Sequence, residues 1–374
     1  MAEISVTPAT RTWAEISASA IRANAEVVKK YCPDSQLIAV LKADGYGHGA
    51  RLAARALGDA AAQIAVANVT EARELCEGGI TRPILILSPA LPMERREIIE
   101  SGWIPTVSSL DEFQSYAAGA EGRRVAINLK VDTGMGRAGL LHDSAEALLQ
   151  LAQSTSSIQI AQISTHLASS DCDEAYTRQQ LTHFAARVKE WRHRCPGTTF
   201  HALNSAGILR FGDAAFDSVR PGLMLYGVSP LPEFQSELTP ACTWKTRICL
   251  VRDLPPNHGV SYGRRYITAK PTRTGLLAAG YADGYPRTLS GQSAEVLIQG
   301  QRCPVLGIIT MDLLIVDLSH VPTAQVGDEV ILMGRQGNES IGAAELAQKA
   351  GTIPWEILTG IQNRVRRVEV DPVP

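Results

Sequence analysis

The feature that most constrains the fold is an alternation of short apolar segments with helical patterns, which continues up to about Arg220. Eight of the apolar segments have the length and composition of buried strands. Strands that alternate with helices predict a parallel sheet, and eight strands at this spacing fit a closed (β/α)8 TIM-type barrel. The predicted strands are Leu37–Leu41, Ile64–Val66, Ile84–Leu87, Ile104–Val107, Val125–Val131, Ile158–Ile163, Thr199–Ala202 and Ser218–Val219.

Helical spacing of apolar residues separates these strands. A doubly wound open sheet is the alternative to a barrel, because periodicity alone does not show whether a sheet closes. No Gly-x-Gly-x-x-Gly fingerprint follows the first strand, which disfavours the dinucleotide-binding form of that open sheet. The predicted helices include Ala50–Leu57, Val69–Glu77, Pro92–Ile99, Ser144–Ala152 and Ala175–Trp191.

The pattern changes to short β segments from about residue 236 onward. We therefore predict a barrel domain at residues 12–235 and a mainly β domain at residues 236–374. Ile4–Val6 and Arg11–Ala14 precede the first barrel element and are candidates for a strand added to the second domain. The predicted elements of that domain are strands Lys245–Arg252, Gly275–Ala279, Glu295–Ile298, Leu314–Asp317 and Glu329–Leu332, and the helix Gly342–Ala350.

Charge and cysteine usage exclude several classes of protein. The chain has 36 basic and 38 acidic residues, which gives a formal net charge of -2 and predicts neither a nucleic acid nor an anionic membrane as partner. The seven cysteines are scattered and form no Cys-x-x-Cys pair, so we expect reduced thiols in the cytoplasm, with no disulfide framework and no metal site. The N-terminus has no signal-peptide pattern, and no apolar run is long enough to span a bilayer.

Lys42 lies where the first predicted strand meets a loop with glycine at every second position. A lysine at the tip of a buried strand costs free energy unless it is solvated or has chemistry to perform. Desolvation lowers the pKa of the amine and frees the neutral form, which attacks carbonyl carbons. The glycines permit close approach of a ligand, and Tyr46 and His48 add polar groups. A phosphate-binding P-loop does not fit, because its glycines precede its lysine.

Polar residues follow other strands at the same face of the predicted barrel, which is the face that carries the sites of such folds. Together they offer cations and hydrogen-bond donors to one cavity, which suggests an anionic ligand. Ser205 and the amides near Gly222 suit a phosphate, since the segments after the seventh and eighth strands are a common phosphate site in barrels. The residues at these strand ends are Lys130, Arg137, His166, Asn204, Ser205 and Arg220.

The sequence resembles the alanine racemase family, and the matches run in order from about residue 12 to residue 367. The resemblance implies the predicted barrel and β domain, pyridoxal 5'-phosphate (PLP) as cofactor, and a homodimer with shared active sites. It also implies interconversion of L-alanine and D-alanine, which supplies D-alanine for cell-wall peptidoglycan. The matching segments are Leu37–Gly49, Asp132–Arg137, Arg220–Gly227, Val260–Gly263, Gly280–Gly284 and Met311–Asp312.

The resemblance also implies residue roles in proton transfer. Lys42 binds PLP covalently and moves the α-proton on one face of the substrate, and Tyr262 of the partner subunit moves it on the other face. Arg220 faces the pyridine nitrogen of PLP, and His166 links Arg220 to that tyrosine. Arg137 lies near the phenolic oxygen of PLP and the substrate carboxylate.

Further implied roles concern binding. Lys130 corresponds to a lysine that is carbamylated in many members of the family and buttresses Arg137. The Met311 amide and Asp312 approach the substrate from the partner chain. The cofactor phosphate is held by Tyr46, Asn204 and Ser205 and by the amides of Gly222 and Leu223.

These residue types suit racemisation. The α-proton leaves one face of the substrate and returns to the other, so two bases are expected. A tyrosine has an ordinary pKa of about 10 and needs cationic neighbours to act as a base at neutral pH, which Arg220 supplies through His166. Arginine holds its own proton firmly, so it leaves the pyridine nitrogen unprotonated and disfavours transamination.

Two positions depart from the family pattern. Asn363 stands where a number of members have tyrosine, and Thr310 stands where many have cysteine, so a racemase of broader specificity that accepts serine remains an alternative. A PLP-binding homeostasis protein is less favoured, because such proteins end after the barrel. A PLP-dependent decarboxylase of the same barrel class is also less favoured, because it has an acidic residue where this chain has Arg220.

Overall fold

The structure, a computed structural model, describes residues 10–371. Its contacts group the chain into two compact units. The barrel unit comprises Ile21–Gly45 and Ala53–Thr239, and the β unit comprises the described residues up to Ala20, Tyr46–Leu52 and the described residues from Pro240 onward. Each unit is described separately below.

Eight parallel strands of the barrel unit form a closed barrel, in which the first strand pairs with the last through Gln36 opposite Ser218. This closure confirms the predicted barrel and excludes the open doubly wound sheet. The strands are Gln36–Val40, Gln63–Val66, Ile84–Ile86, Ile104–Val107, Val125–Lys130, Ile158–Ser164, Thr199–His201 and Ser218–Val219.

The barrel strands form from apolar runs because their side chains are buried against both the barrel interior and the surrounding helices. Ile84–Ile86 is buried at every position. Of the polar side-chain atoms inside the barrel, Gln63 Nε2 and Asn128 Oδ1 have no hydrogen-bond partner within the described residues. The other amide groups are bonded: Gln162 Nε2 donates to Gln63 Oε1 at 2.6 Å, and Asn128 Nδ2 donates to Thr106 Oγ1 at 3.0 Å. These bonds offset the cost of removing the amide donors from water.

Helices follow the barrel strands, and polar N-cap residues fix where several of them begin. The side chains of Asn68, Ser109, Asp173 and Asn204 each accept a backbone N–H from the first turn of the helix that follows. The helices are Ala18–Tyr31, Ala50–Leu57, Val69–Glu77, Arg95–Ser101, Leu110–Ala118, His142–Gln153, Glu174–Arg194 and Ser205–Phe211, with 3-10 turns at Gly58–Ala60, Pro92–Glu94, Gly212–Ala214, Leu223–Tyr226 and Pro232–Glu237.

The β unit contains a nine-stranded sheet, which confirms the mainly β character expected of the second domain. Glu329–Gln336 additionally pairs with Cys242–Leu254, and a separate two-stranded ribbon joins Gly259–Val260 to Tyr266–Ile267. In sheet order the nine strands are Glu339–Ile341, Glu329–Gln336, Glu295–Ile298, Gln301–Leu306, Leu314–Asp317, Thr272–Leu277, Cys242–Leu254, Thr12–Ile16 and Arg366–Glu369.

Helical segments of this unit include helices of eight and six residues. Ala343–Ala350 agrees with the predicted helix and takes Gly342 as its N-cap, and Pro354–Thr359 was not predicted. The 3-10 turns of the β unit are Tyr262–Arg264, Tyr281–Asp283 and Arg287–Leu289. None of the helices in residues 10–371 has both the length and the apolar character needed to cross a membrane.

The strand expected at Arg11–Ala14 lies at Thr12–Ile16 and belongs to the nine-stranded sheet. Thr12 lies opposite Thr246, and the buried Trp13 ring packs against the Arg247 guanidinium. A pairing over this sequence separation leaves no trace in local periodicity. The other candidate, residues 4–6, lies outside the described residues, and the domain boundaries remain predictions.

Candidate active site

Lys42 lies two residues after the end of the first barrel strand, at the end of the barrel predicted to carry the site. The side chain is partly buried, and no hydrogen bond to its amine occurs within the described part of the chain. Burial lowers the pKa of Lys42, the positive charge of Arg137 lowers it further, and the carboxylate of Glu71 acts in the opposite direction. The amine thus has the lowered pKa expected for a nucleophile or base.

The segment after Lys42 is a left-handed turn. Ala43, Asp44, Gly45 and Tyr46 all have φ between 50° and 61°, and the Gly45 N–H donates to the Leu41 carbonyl at 2.8 Å. Left-handed backbone costs roughly 1–2 kcal/mol for each residue that is not glycine, so the surrounding structure must hold this turn in place. The glycine spacing in the sequence does not account for it, since three of the four residues have side chains.

Gly47 follows the turn and has no room for a side chain. A Cβ atom there would lie 2.2 Å from the Leu358 carbonyl oxygen of the same unit, and the residue has a φ of 80°. The Arg367 Nε also donates to the Gly47 carbonyl at 2.9 Å. This glycine is therefore required by a close backbone approach.

Arg220 directly follows the last barrel strand, and its guanidinium is buried. It donates to the backbone oxygens of Thr165 at 2.6 Å and Ala202 at 3.0 Å, and it contacts the His201 ring. Burial lowers its pKa to about 10, so the group is still a cation at neutral pH. Two carbonyls and a histidine fix its direction, and no carboxylate among residues 10–371 pairs with it.

Two histidines flank Arg220. His166 Nδ1 is 3.5 Å from the guanidinium, at the outer limit of hydrogen bonding, whereas His201 is in close contact. Burial holds the pKa of both imidazoles well below their usual range, and the charges of Arg220 and Lys130 lower it further. Both rings are therefore neutral at pH 7.

Lys130 ends the fifth barrel strand and adds another cation to this cluster. Burial holds the pKa of its amine well below the usual range, and the charges of Arg220 and Arg137 lower it further. The loop that follows is folded by Asp132, whose carboxylate accepts the amides of three consecutive residues at 2.7–2.8 Å: Gly134, Met135 and Gly136. The loop ends in the exposed Arg137.

The residues predicted to hold a phosphate lie near one another in the barrel unit, except Tyr46. Asn204 caps the helix Ser205–Phe211, with its Oδ1 accepting the Gly207 N–H and the Ser170 hydroxyl, both at 2.9 Å. Ser205 Oγ accepts the Gly222 N–H at 3.0 Å. The hydroxyl proton of this serine is left to donate to a ligand, whereas the Gly222 amide already has a partner.

Tyr46 belongs by its contacts to the β unit, where burial raises its pKa to about 12. Tyr262, Met311 and Asp312 also lie in that unit. The Tyr262 side chain is 72% exposed and that of Met311 is 53% exposed, so both are accessible on the surface of this unit. Asp312 Oδ1 accepts a hydrogen bond from Arg364 at 2.8 Å.

Three residues that contact this constellation were not predicted: His201, Glu71 and Arg364. His201 ends the seventh strand, three residues before the predicted Asn204, and its inward position follows from strand alternation. Glu71 is the third residue of a helix capped by Asn68, a recognisable capping pattern. Nothing in the sequence alone pairs Arg364 with Asp312, because that contact depends on tertiary folding.

The barrel unit thus collects four basic residues, Lys42, Lys130, Arg137 and Arg220, and the charge of Arg137 lowers the pKa of both lysines. None of the four forms an ion pair within residues 10–371. Buried positive charges without counter-ions are costly, and a bound anion would relieve that cost. The cluster fits a small ligand with phosphate, phenolate or carboxylate groups, and Lys42 adds an amine that can attack a carbonyl.

Comparisons with known proteins agree with this description. Residues 16–230 match the family model described as "Alanine racemase, N-terminal domain", and residues 241–369 match "Alanine racemase, C-terminal domain". The chain is 40% identical over 361 residues to the alanine racemase of Methylacidiphilum infernorum, with 96% of this chain and 92% of that protein covered. It is 41% identical over 365 residues to the alanine racemase of Symbiobacterium thermophilum, with 95% of this chain and 96% of that protein covered.

Solved structures give the same result. The alanine racemase of Streptomyces lavendulae superposes with a TM-score of 0.91 at 37% identity and covers 97% of this chain and 98% of its own. The alanine racemase of Bacillus anthracis with bound L-Ala-P superposes with a TM-score of 0.89 at 32% identity. The match covers 96% of this chain and 95% of the Bacillus anthracis chain.

Proposed function

The chain belongs to the alanine racemase family, and we propose that it is a racemase that interconverts L-alanine and D-alanine with two bases, Lys42 and Tyr262. The observation that carries this proposal is the unpaired cation cluster around a lysine of lowered pKa at one end of a barrel. The accessible Tyr262 on a separate unit supports it further. The serine alternative rests on the same residues and differs only at the site entrance.

We propose pyridoxal 5'-phosphate as the cofactor, and the donor set of the barrel unit fits it. Lys42 supplies the amine for covalent attachment. The Ser205 hydroxyl, the Leu223 amide, Asn204 and Tyr46 form the proposed phosphate site, and the Gly222 amide would join them by exchanging its bond to Ser205 for one to the phosphate. When bound, the cofactor withdraws electrons from the substrate Cα and makes its proton acidic. Arg137 is positioned to neutralise a phenolate or a substrate carboxylate.

Each of the two proposed bases transfers the α-proton on one face of the substrate. Burial lowers the pKa of Lys42, so a larger fraction of its amine is neutral and able to accept the α-proton. Tyr262 returns or removes the proton on the opposite face. Asp312 and the Met311 amide contact the substrate in the assembled site, and Arg364 holds Asp312 in place.

Arg220 sets the electronic character of the reaction in this proposal. Its fixed bonds to Thr165 and Ala202 direct the guanidinium, and its firmly held proton is not passed to the pyridine nitrogen. His166 then connects Arg220 to Tyr262 in the assembled site. A decarboxylase of this barrel class would require an acidic residue at the position of Arg220.

Lys130 is proposed to be carbamylated. A buried amine under the charges of Arg137 and Arg220 is unfavourable as a cation. The neutral amine would add CO2 through a new N–C bond and release one proton to solvent, which gives a carbamate anion that can pair with both arginines. The carbamate would buttress Arg137 against the cofactor. Intact mass after gentle purification, with Lys130→Ala as the control, measures the added CO2.

We also propose that the protein is a cytoplasmic homodimer in which each site combines Lys42 of one chain with Tyr262 of the partner subunit. The D-alanine it forms would supply peptidoglycan synthesis. Its second domain, matched over residues 241–369, distinguishes it from PLP homeostasis proteins, which end after the barrel.

The function is tested by incubating the purified protein with L-alanine and separating the enantiomers by chiral chromatography, with L-serine in parallel. We expect D-alanine to form, bound PLP to be present, and borohydride to fix the cofactor to Lys42. Lys42→Ala should abolish both the attachment and the reaction. No D-alanine from a PLP-loaded protein would contradict the proposal, and faster conversion of serine would favour the broader racemase.

A further inference from the structure

We propose that Glu71 is a positioning residue that fixes the left-handed turn carrying Lys42, an inference that rests on the proposed racemase function. Glu71 is not one of the cations or bases of the site. It acts on the backbone beside Lys42, and through that backbone it sets where the amine lies.

The carboxylate of Glu71 joins two loops at the site end of the barrel. Oε1 accepts the Ala43 N–H at 2.7 Å, and Oε2 accepts the Ala67 N–H at 2.7 Å. Ala43 directly follows Lys42, and Ala67 directly follows the second barrel strand. Both bonds have the short length typical of an N–H donating to a charged oxygen.

The turn needs such a restraint. Ala43 has φ 53° and ψ 51°, and Asp44 has φ 50° and ψ 50°, so two residues with side chains adopt left-handed backbone immediately after Lys42. Conformations of this kind persist only where neighbouring groups hold them. The bond from Ala43 to Glu71 holds the first residue of the turn, and a shift there would displace the lysine.

The helix Leu110–Ala118, further along the barrel unit, shows what Glu71 would do if it were only a helix cap. Glu112 has the same third position, its N–H donates to the N-cap Ser109 at 3.1 Å, and its Oε2 accepts the Ser108 N–H at 2.6 Å. Glu71 reproduces this arrangement with Asn68 and Ala67. The added bond to Ala43 is the difference, and helix capping does not require it.

Charge supports the same assignment. The carboxylate of Glu71 works against the burial and the Arg137 charge that lower the pKa of Lys42, and His166 also faces this amine from the sixth-strand loop. Glu71 therefore restrains the backbone beside the lysine through the Ala43 N–H and moderates the protonation of the lysine amine. A capping residue distant from Lys42 would have neither effect.

The test compares Glu71→Gln with Glu112→Gln in the full-length holoenzyme. Glutamine keeps the side-chain length but offers an NH2 group to one of the two amides. For Glu71→Gln we expect roughly tenfold faster amide exchange in the peptide containing residues 42–46 and roughly tenfold lower kcat, with the KM for alanine unchanged. Glu112→Gln should change neither quantity, although it removes an equivalent cap.

A rescue variant separates turn restraint from general damage. Ala43→Gly removes the side chain that disfavours positive φ at this position. Added to Glu71→Gln, it should restore part of kcat. If Glu71→Gln alone fails to fold, adding Ala43→Gly should restore folding. Unchanged exchange and kcat in Glu71→Gln, or equal losses in the two glutamine variants, would overturn the proposal. If the wild-type protein has no racemase activity, the proposed function fails, while the exchange comparison still decides the role of Glu71 in the turn.

Discussion

Arg364 places two parallel N–H groups on the carboxylate of Asp283, with Nε to Oδ1 at 2.7 Å and an NH2 nitrogen to Oδ2 at 2.8 Å. Asp283 is only 3% exposed and also accepts the Gly280 N–H at 2.8 Å. Because Arg364 reaches Asp312 as well, a buried carboxylate anchors a residue proposed to touch the substrate.

Arg364→Ala should therefore reduce both stability and activity. It leaves the buried Asp283 without its cation, which we expect to lower the free energy of unfolding by about 1–2 kcal/mol, because Arg364 itself is partly solvent-screened. Arg366→Ala is the matched control, since this exposed arginine forms no ion pair within the described residues. Urea unfolding and kcat measure the two effects, and equal behaviour of both variants would refute the anchoring role.

Arg220→Glu should change which reaction the site favours. A carboxylate can share a proton with the pyridine nitrogen, so transamination should rise relative to racemisation while PLP stays bound. The measurement is the ratio of pyruvate to D-alanine formed from L-alanine. Arg220→Lys keeps a cation and should slow racemisation with a smaller change in that ratio. An unchanged ratio in Arg220→Glu would show that Arg220 does not set the electronics.

His201 should make the fold less stable in mild acid. Its folded pKa is well below the ordinary value, because of burial and the charges of Arg220 and Lys130. Below about pH 6.5 the unfolded chain binds a proton that the folded chain does not, so stability falls as pH falls, by up to about 1.4 kcal/mol for each pH unit from this residue alone. His201→Gln should flatten the dependence of unfolding free energy between pH 7 and pH 5, and replacing the exposed His183 by Gln should not.

The barrel was predictable because its strands are continuous apolar runs, and Ile104–Val107 and Ser218–Val219 agree with the predicted bounds. Strands with mixed polarity were missed. Gln301–Leu306 contains Arg302 and Pro304, and it forms through pairing with Glu295–Ile298 and Leu314–Asp317. Such pairing is a tertiary property that local composition does not carry.

The cluster of Lys42, Lys130 and Arg220 was predictable because parallel strands end on the same side of a barrel. The left-handed turn after Lys42 was not, since Ala43 and Tyr46 belong to residue types that rarely adopt positive φ, and a single Asp44 does not reveal a turn of four such residues. Glu71 restrains that turn from another loop, so its role became visible only with the structure.

Asn363→Tyr should alter substrate choice more than chemistry. Asn363 is exposed in the β unit and lies next to Arg364, which makes it a candidate for the site entrance. We expect the ratio of alanine to serine turnover to change, with little change in the deuterium isotope effect on alanine. Thr310, the other position that departs from the family pattern, is a suitable comparison for Asn363, because its hydroxyl already donates a hydrogen bond to the Leu313 carbonyl at 2.7 Å. Equal losses on both substrates with an altered isotope effect would contradict an entrance role.

The most direct test of the account is complementation between Lys42→Ala and Tyr262→Phe chains, dissociated and reassembled together. In a mixed dimer with shared sites, one site carries both substitutions and the other carries neither. If half of the dimers are mixed and the sites act independently, activity should recover to roughly a quarter of wild type. If Tyr262 served only its own chain, every site would lack one base. Activity no higher than the weighted mean of the two parental dimers, with mixed dimers demonstrated, would contradict the shared two-base site.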